Sequence, residues 1–452
     1  MTTSVQPTTP LAGPHIPGWT QWITNLLPWR VTFDSLGFML TNAQKYGSFY
    51  AIWLGQQPIY VVSDPAVVYE ILIERAREFH KADLVKKAVG PFAGNGLFTN
   101  EGDFWRRQRK LAQPAFHHKR IAAYGATMVQ QTLEMIAGWQ DGATLDLAHE
   151  MTKLTLGIVN KTLFNVDVRA QAEHIGELMT TILAAANDRI NSYDPIWGRL
   201  FNRKAHQESA AIQELFAIID QIIAEHRHEG EDTGDLLSML LAARDDEGNP
   251  MSEQQLRDEV VTLFVAGHET TANALAWSFY LVAQHPDVES KLLAELAQLD
   301  RQTPSMETLA QLPYSEQVIK EAMRLYPPAG GITRQPIHDI ELAGHPIAQG
   351  STITVATYVM QRDPKLYPDP TRFDPERFTP ENEAKLPRFA YLPFGGGPRV
   401  CIGNSFAMLE ARLILTTVLQ RVHLLPPTTA VRAEQLFTLR PKGGLPMQVQ
   451  RR

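Results

Sequence analysis

The single cysteine of the 452-residue sequence lies in an unusual frame. Cys401 follows residues 392–400 (LPFGGGPRV), in which three consecutive glycines precede Pro398. Glycine backbone can turn sharply and lie close against a flat partner. From Asn404 onward the residues are helix formers, so the sulfur stands where a helix begins, and the helix dipole there favours a thiolate. The pattern predicts a metal ligand; the alternative is a small buried hydrophobic side chain, the commoner role of a lone cysteine.

A second unusual stretch, Ala266–Thr271 (AGHETT), interrupts a long apolar helical pattern. Ser252 and Gln255 predict a capping box at the start of this helix, which continues to about His285, before Pro286. A glycine, an acid and two β-branched hydroxyls are poor choices for helix stability alone. Their presence therefore indicates a chemical purpose.

The segment Phe394–Gly403 (FGGGPRVCIG) closely resembles the cysteine loop of the haem-thiolate monooxygenases, the P450 cytochromes. The resemblance implies haem b, with Cys401 as the axial thiolate of its iron. It also implies that Phe394 packs beside this loop, that Arg399 pairs with a haem propionate, and that Gly403 lets the helix approach the porphyrin. The expected activity is insertion of one oxygen atom of dioxygen into an apolar substrate.

This resemblance gives the second stretch a role, because dioxygen activation at a haem needs room for the diatomic and a controlled proton supply. We expect Ala266 and Gly267 to leave the room. The Thr270 hydroxyl bonds either the carbonyl of Ala266 or the oxygen itself, and Glu269 feeds protons from solvent. His268 is interpreted as a helix-packing residue.

Three further residues are expected near the haem propionates. Trp105 and Arg109 lie four apart on one face of a predicted helix at 104–113, and Arg334 precedes a predicted strand region. Without the cysteine loop, a basic solvated helix face with one buried tryptophan would be the better interpretation. The nearby cations predict a docking patch for an acidic electron donor, formed by Arg106, Lys110, Lys119 and Arg120.

A structural ion-pair network is also predicted. Glu321 and Arg324 lie three apart on a helix at 315–326, and Arg377 follows in Pro375–Phe378 (PERF). An exposed pair of this kind would contribute little. In the P450 cytochromes, charges in these positions form a buried triad that holds the cysteine region in place.

The residues that line the substrate pocket are predicted from family position alone, and ordinary core packing is the alternative for each. A fatty acid, terpenoid or steroid would suit such a pocket, and the long-helix motif favours a fatty acid slightly. Residues 81–100 are expected to form a long loop, and residues 145–245 to be helical, with a break at 191–197. The candidates are Phe92, Leu97, Phe98, Leu178, Met179, Ile182, Leu263, Phe264, Ala329, Ile332 and Phe437.

The predicted fold is mainly α, a large haem-centred helical unit with a small β region. Length alone would predict two or three domains. However, the motifs between residues 105 and 401 converge on one cofactor, so we expect a single domain over residues 1–452. Its N-terminal arm is 1–47, and its β region comprises 48–63 and 337–360.

The composition and the net charge limit the binding partners and the cellular location to be expected. A net charge of −7 gives no case for nucleic-acid binding. The sequence shows neither a secretory signal nor a membrane-spanning stretch, so a cytoplasmic monomer is expected. The tryptophan-rich stretch 16–29 either packs as an arm or touches a membrane surface.

About 50 residues follow Cys401, too few for a reductase domain. Electrons should therefore come from a separate ferredoxin or flavodoxin with its reductase, and NAD(P)H serves only through them. A peroxide-driven peroxygenase or haem-dependent isomerase is the alternative enzyme, although the Glu269–Thr270 pair argues against it. A non-catalytic haem carrier or sensor is the alternative outside enzymes.

Overall fold

A computed structural model describes residues 11–16, 34–166, 171–191, 203–229, 235–244 and 247–452. The tryptophan-rich stretch beyond Ile16 and the predicted break after residue 191 lie outside the described residues. Within the described segments the chain forms fifteen α-helices. They are α1 (Ser35–Tyr46), α2 (Pro65–Tyr69), α3 (Asp83–Ala93), α4 (Gly102–Ala112), α5 (His118–Gly138), α6 (Leu147–Leu163), α7 (Ala172–Asn191), α8 (Arg203–Glu229), α9 (Leu236–Ala242), α10 (Glu253–Gln284), α11 (Pro286–Ala297), α12 (Pro313–Leu325), α13 (Thr357–Met360), α14 (Pro380–Glu383) and α15 (Asn404–Leu419).

The strands of the described residues are β1 (His15–Ile16), β2 (Phe49–Leu54), β3 (Gln57–Val62), β4 (Phe79–His80), β5 (Thr144–Asp146), β6 (Ile332–Pro336), β7 (Ile340–Leu342), β8 (His345–Ile347), β9 (Thr352–Val355), β10 (Val422–Leu425), β11 (Ala433–Gln435), β12 (Leu439–Pro441) and β13 (Pro446–Arg451). The largest sheet has six strands in the order β1-β2-β3-β9-β6-β4, and a three-stranded sheet has the order β10-β13-β5. Two hairpins, β7-β8 and β11-β12, complete the β structure of this part of the chain.

The predicted strand–turn–strand at 48–63 is confirmed. β2 and β3 pair antiparallel around Gly55, whose φ of 62° requires glycine-like freedom. The second β segment differs from the prediction at both ends, because β6 begins at Ile332 and residues 357–360 are helical. β9 pairs parallel with β3 and antiparallel with β6, which joins the two β segments in one sheet.

Helix α10 is the central element, and its predicted bounds are confirmed. The Ser252 hydroxyl accepts from the Gln255 N–H at 3.2 Å, and Pro286 begins the next helix. Its 32 residues span about 48 Å. It packs against α6, α12 and α15, and most of its residues are buried. Residues in the middle of this helix therefore lie at the centre of the helical core.

The prediction of a loop over residues 81–100 is wrong in part, since α3 occupies 83–93. Gly90 and Pro91 are helix breakers by propensity, and Pro91 lies inside this helix. The apolar face of α3, which includes Phe92, is buried, and α3 packs against α7 and α10. Burial of that face outweighs the local propensity.

The described residues share one large apolar core. It includes residues from Ala88 in α3 to Val449 in β13, and a smaller cluster lies against the six-stranded sheet. The fold is therefore mainly helical with small sheets, as predicted. None of the helices in the described segments is long and apolar enough to cross a membrane.

Candidate active site

The cysteine loop is shaped by glycines. Gly395 and Gly397 both have φ of +70°, which few other residues adopt. A Cβ on Gly397 would lie 1.9 Å from the carbonyl oxygen of Leu72, so only glycine is accommodated there. The Cys401 N–H donates to the carbonyl oxygen of Phe394 at 2.9 Å and closes the loop just before α15.

The Cys401 thiol is solvent-accessible, yet burial raises its pKa. A group that is both reached by solvent and closely surrounded by protein lies in a recess. The Gly403 N–H and the charge of Arg109 lower the pKa, but less than burial raises it. The predicted lowering by the helix start is therefore outweighed, although coordination to a metal deprotonates a thiol outright. Arg109 is held beside the sulfur, since its Nη1 donates to the carbonyl oxygen of Val400 at 2.6 Å.

One face of α10 is left uncovered by the other described residues midway along the helix. Ala266 is exposed, and Glu269 and Thr270 are part-exposed. Their spacing of three and four residues places them on one face. The Thr270 hydroxyl donates to the carbonyl oxygen of Ala266 at 3.0 Å, which matches the first of the two predicted arrangements.

Gly267 is also part-exposed, and it has a packing role as well. A Cβ on Gly267 would lie 3.1 Å from Val159 of α6, so glycine here permits close helix packing. That Ala266 and Gly267 leave room for a diatomic stays a prediction. Phe264 also lies against α6, where it stacks on Phe164 with ring centroids 6.3 Å apart, and its place in the pocket stays a prediction. His268 is a packing residue as predicted, and burial lowers its pKa to about 4.

The Glu269 carboxyl is engaged by a residue far along the chain. Its Oε1 accepts from the Thr438 hydroxyl at 2.6 Å, and Asn273 Nδ2 donates to the same hydroxyl oxygen at 3.1 Å. Burial raises the pKa of Glu269, and the Thr438 hydrogen bond and the charge of Arg440 oppose this. Sequence reasoning missed Thr438, whose only signal was its position next to Phe437.

Arg399 lies beside the cysteine loop in a group of cations. Its guanidinium stacks over the Trp105 ring, 4.0 Å from the centroid, and its Nη2 donates to the Asn100 carbonyl oxygen at 2.9 Å and to Glu101. Its Nη1 is buried without a hydrogen-bond partner among the described residues. Arg399 thus retains a hydrogen-bond donor that the described residues leave unused.

Two other cations, Arg334 and Lys81, interact with the Glu101 carboxylate that Arg399 contacts. Arg334 is buried in β6, and burial lowers its pKa to about 10. Lys81 lies 3.6 Å from the centroid of the Phe98 ring, and burial followed by repulsion from Arg399 and Arg334 lowers its pKa well below its ordinary value. Glu101 is the acid acting on all three cations. Lys81 was not predicted, because a single lysine in a segment of mixed composition forms no recognisable motif.

The three charges of the predicted triad are adjacent and buried. The side chains of Glu321 and Arg324 are both fully inaccessible, and Arg324 Nε and Nη2 donate to the two carboxyl oxygens at 2.6 and 2.7 Å. Arg377 Nε lies 3.5 Å from Glu321 Oε1. Arg324 also donates to the carbonyl oxygens of Gln361, Pro370 and Arg372. The network joins α12 to the segment at 361–377.

The other pocket candidates fall into two groups by burial. Phe98 and Phe437 are half-buried and meet edge-on, with centroids 6.2 Å apart. Ile332 is also half-buried, and Ala329 is exposed. The buried candidates are Phe92, Leu97, Leu178, Met179, Ile182 and Leu263.

The basic residues predicted as a docking patch lie near the cysteine loop. Lys110, His117, Lys119 and Arg120 line a shallow surface depression between α4 and α5. Arg106 instead pairs with Asp103 on the exposed side of α4.

Comparison with known proteins agrees with this arrangement. The family model described as cytochrome P450 matches residues 14–446. The chain belongs to the cytochrome P450 family. P450 relatives from Streptomyces melanosporofaciens include cyclooctatin synthase, 35% identical with 88% of both chains covered, and cyclooctat-9-en-7-ol 5-monooxygenase, 34% identical with 90% of this chain and 89% of the relative covered. Pentalenene oxygenase from Streptomyces avermitilis is 32% identical, with 91% of this chain and 92% of the relative covered.

Membership confirms the predicted enzyme class. The protein is a P450 monooxygenase, a haem-thiolate oxidoreductase whose cofactor is haem b. It requires dioxygen and redox partners.

Proposed function

We propose that this P450 oxidises an apolar terpenoid, that the Cys401 thiolate would hold the haem iron, and that the Ala266–Thr270 face of α10 would border the same site. The observation that carries the assignment is the accessible Cys401 just before α15, together with the uncovered face midway along α10. When bound, haem b with a thiolate ligand supplies the dioxygen-activating chemistry.

The residues present fit haem b. Its two propionates are carboxylates, and Lys81, Arg334 and Arg399 share the single acid Glu101. The buried Arg399 Nη1, with no partner among the described residues, offers a donor to one of them. Trp105, Arg109 and Arg334 therefore remain our proposed propionate partners, with Arg399 and Lys81. Phe394 and Gly403 are proposed to shape the loop at the sulfur.

The chain's own proton carrier is proposed to be Glu269. Burial raises the pKa of this carboxyl toward the range in which it can both hold and release a proton. The Thr438 hydroxyl donates to Oε1 and orients the carboxyl, and Asn273 orients Thr438 in turn. Thr270 is one residue further on the same helix face, and rotation about its χ1 would move its hydroxyl from the Ala266 carbonyl into the site. This pair favours oxygenase chemistry over the peroxygenase or isomerase alternative.

The electron donor is proposed to dock at the depression lined by Lys110, His117, Lys119 and Arg120. Arg109, on the same helix as Lys110, reaches the loop backbone one residue before Cys401. An acidic ferredoxin or flavodoxin would be steered to this surface of a protein whose net charge is −7.

A terpenoid is favoured as substrate class for two reasons. The three relatives named above carry names that specify cyclooctatin, cyclooctat-9-en-7-ol and pentalenene. The edge-on pair of Phe98 and Phe437 offers the proposed pocket an apolar wall that suits a hydrocarbon body.

Spectral titration tests this proposal. Cyclic terpenes, fatty acids and steroids are added to the haem-loaded enzyme, and displacement of water from iron is followed as a change of spin state. We expect terpenes to produce the change at the lowest concentrations, and turnover with ferredoxin and its reductase to yield a singly oxygenated product. Tighter binding and turnover of fatty acids, with no response to terpenes, would overturn the substrate class.

A further inference from the structure

Two adjacent acidic residues near the start of α10, Asp258 and Glu259, are buried and take no part in the proposed haem and oxygen chemistry. Asp258 is 4% exposed and Glu259 is 1% exposed. Buried carboxylates are costly unless their oxygens accept hydrogen bonds. One oxygen of each accepts from a glutamine of α10, Gln254 for Asp258 and Gln255 for Glu259. The other oxygen of each accepts from residues 94–98 (GNGLF), the segment that follows α3.

The contacts are made to the backbone of that segment. The Asn95 N–H donates to Asp258 Oδ2 at 2.7 Å, and the Leu97 N–H donates to Glu259 Oε2 at 2.8 Å. Gln255 bridges the two elements, since its Nε2 lies 2.7 Å from Glu259 Oε1 and 3.2 Å from the Asn95 carbonyl oxygen. Two carboxylates and one amide side chain of α10 thus bind the loop backbone at Asn95 and at Leu97, two residues further on.

The glycines of the segment make this close approach possible. Gly94 has a φ of +49°, and a Cβ there would lie 2.2 Å from Asp258 Oδ1. A Cβ on Gly96 would lie 2.1 Å from Thr262 Oγ1 and 2.5 Å from the Asp258 carbonyl oxygen. Any side chain at either position would push the loop away from α10. The segment is therefore built to lie directly on the two acids.

The same segment carries a wall of the proposed substrate pocket. Leu97 and Phe98 are two of the pocket candidates, and Phe98 meets Phe437 edge-on. At its other end the loop is held by Lys81, whose Nζ donates to the Phe98 carbonyl oxygen, and by Arg399, which donates to Asn100. The position of this wall depends on both attachments.

We propose that Asp258 and Glu259 act as a clasp that positions residues 94–98 and so sets the width of the substrate pocket. Both are positioning residues, since they act through the loop. The inference rests on the proposed function, because the pocket they shape is the one assigned to its substrate.

The clasp contacts are strongest when Glu259 is ionised. Burial raises the pKa of Glu259 to about 7, and the Leu97 and Gln255 hydrogen bonds, which favour the carboxylate, oppose the rise. Among the described residues Asp258 is the charged group that acts on it, and Arg257 pairs with Asp220 of α8. At pH 8 Glu259 is therefore mainly a carboxylate, and its two oxygens accept from Leu97 and Gln255.

The test is hydrogen–deuterium exchange of the peptide covering residues 94–101 in the haem-loaded protein at pH 8. Glu259→Gln keeps the side-chain length but leaves one neutral acceptor oxygen where the carboxylate has two that accept from Leu97 and Gln255. Hydrogen bonds to a charged acceptor are stronger than those to a neutral one. We expect exchange of this peptide to be up to about tenfold faster in Glu259→Gln than in wild type.

Two more variants complete the design. Glu259→Ala should speed exchange of this peptide more than Glu259→Gln does, because the Leu97 N–H loses its acceptor. Glu253→Gln is the matched control, an exposed acid six residues earlier on α10 that pairs with Arg227. It should leave exchange of the peptide unchanged.

Binding of 4-phenylimidazole, which fills an apolar pocket next to the iron, gives the functional readout. At pH 8 its Kd should be higher in Glu259→Ala than in wild type, because the wall formed by Leu97 and Phe98 is no longer held in place, and imidazole itself should bind both alike. Equal exchange and equal Kd in wild type and Glu259→Ala at pH 8 would overturn the clasp. The carbon monoxide spectrum of the same reduced samples reports thiolate-bound haem separately, so failure of the clasp is distinguishable from failure of the proposed function.

Discussion

Removal of the Glu321 carboxylate should destabilise the protein strongly. Arg324 is completely buried, and of its five hydrogen bonds two go to Glu321 and three to backbone carbonyls. Glu321→Ala leaves this guanidinium buried without its counter-charge, and it also removes the acceptor of the Asp374 N–H at 2.9 Å. Breaking a buried pair by removing one partner costs about 3–5 kcal/mol.

The assay is urea unfolding of the purified variant followed by circular dichroism, with haem content measured on the same samples. Glu316→Ala is the matched control on the same helix, since Glu316 is 40% exposed and pairs with Lys320 and Arg412. It should cost about 0–1 kcal/mol, as surface pairs do. Because the network joins α12 to residues 361–377, we also expect Glu321→Ala to lose haem. A stability change below about 1 kcal/mol with normal haem content would refute the reasoning.

The remaining predictions concern α10 and its partner. Gly267→Val should lower stability by about 1–3 kcal/mol in thermal unfolding, because the added atoms overlap buried Val159. Ala266→Val should keep stability and reduce turnover. A stable Gly267→Val with a destabilised Ala266→Val would contradict the packing of Gly267 against α6. Glu269→Gln should lower kcat by about 10²-fold with little change in substrate Kd, measured with saturating redox partner. Thr438→Val removes a hydrogen bond that lowers the pKa of Glu269, so the corresponding limb of the kcat–pH profile should move to higher pH; an unmoved limb would disconnect Glu269 from proton delivery.

Local chemistry made several elements predictable from sequence. The Ser252 cap and the strand–turn–strand around Gly55 depend on neighbouring residues only. Glu321 and Arg324 lie one helical turn apart, so their contact follows from helix geometry once a helix is recognised. The resemblance of the cysteine loop then identified the family.

Features that depend on long-range packing were not predictable. The approach of Gly267 to Val159 is decided by the packing of α6 on α10, which no neighbouring residue in the sequence indicates. The Thr438–Glu269 hydrogen bond joins residues 169 apart, and the Arg399–Glu101 pair joins residues 298 apart. Neither partner has a sequence pattern that indicates the other.

The central claim, that Cys401 provides the thiolate that binds the haem iron, is tested most directly by the carbon monoxide spectrum of the reduced, haem-loaded protein. The account predicts the strongly red-shifted Soret band of thiolate ligation in the wild type and in Glu253→Gln. It predicts loss of that band in Cys401→Ser, with the protein still folded by circular dichroism. A wild-type spectrum without the band in folded, haem-replete protein, or an unchanged band in Cys401→Ser, would contradict it.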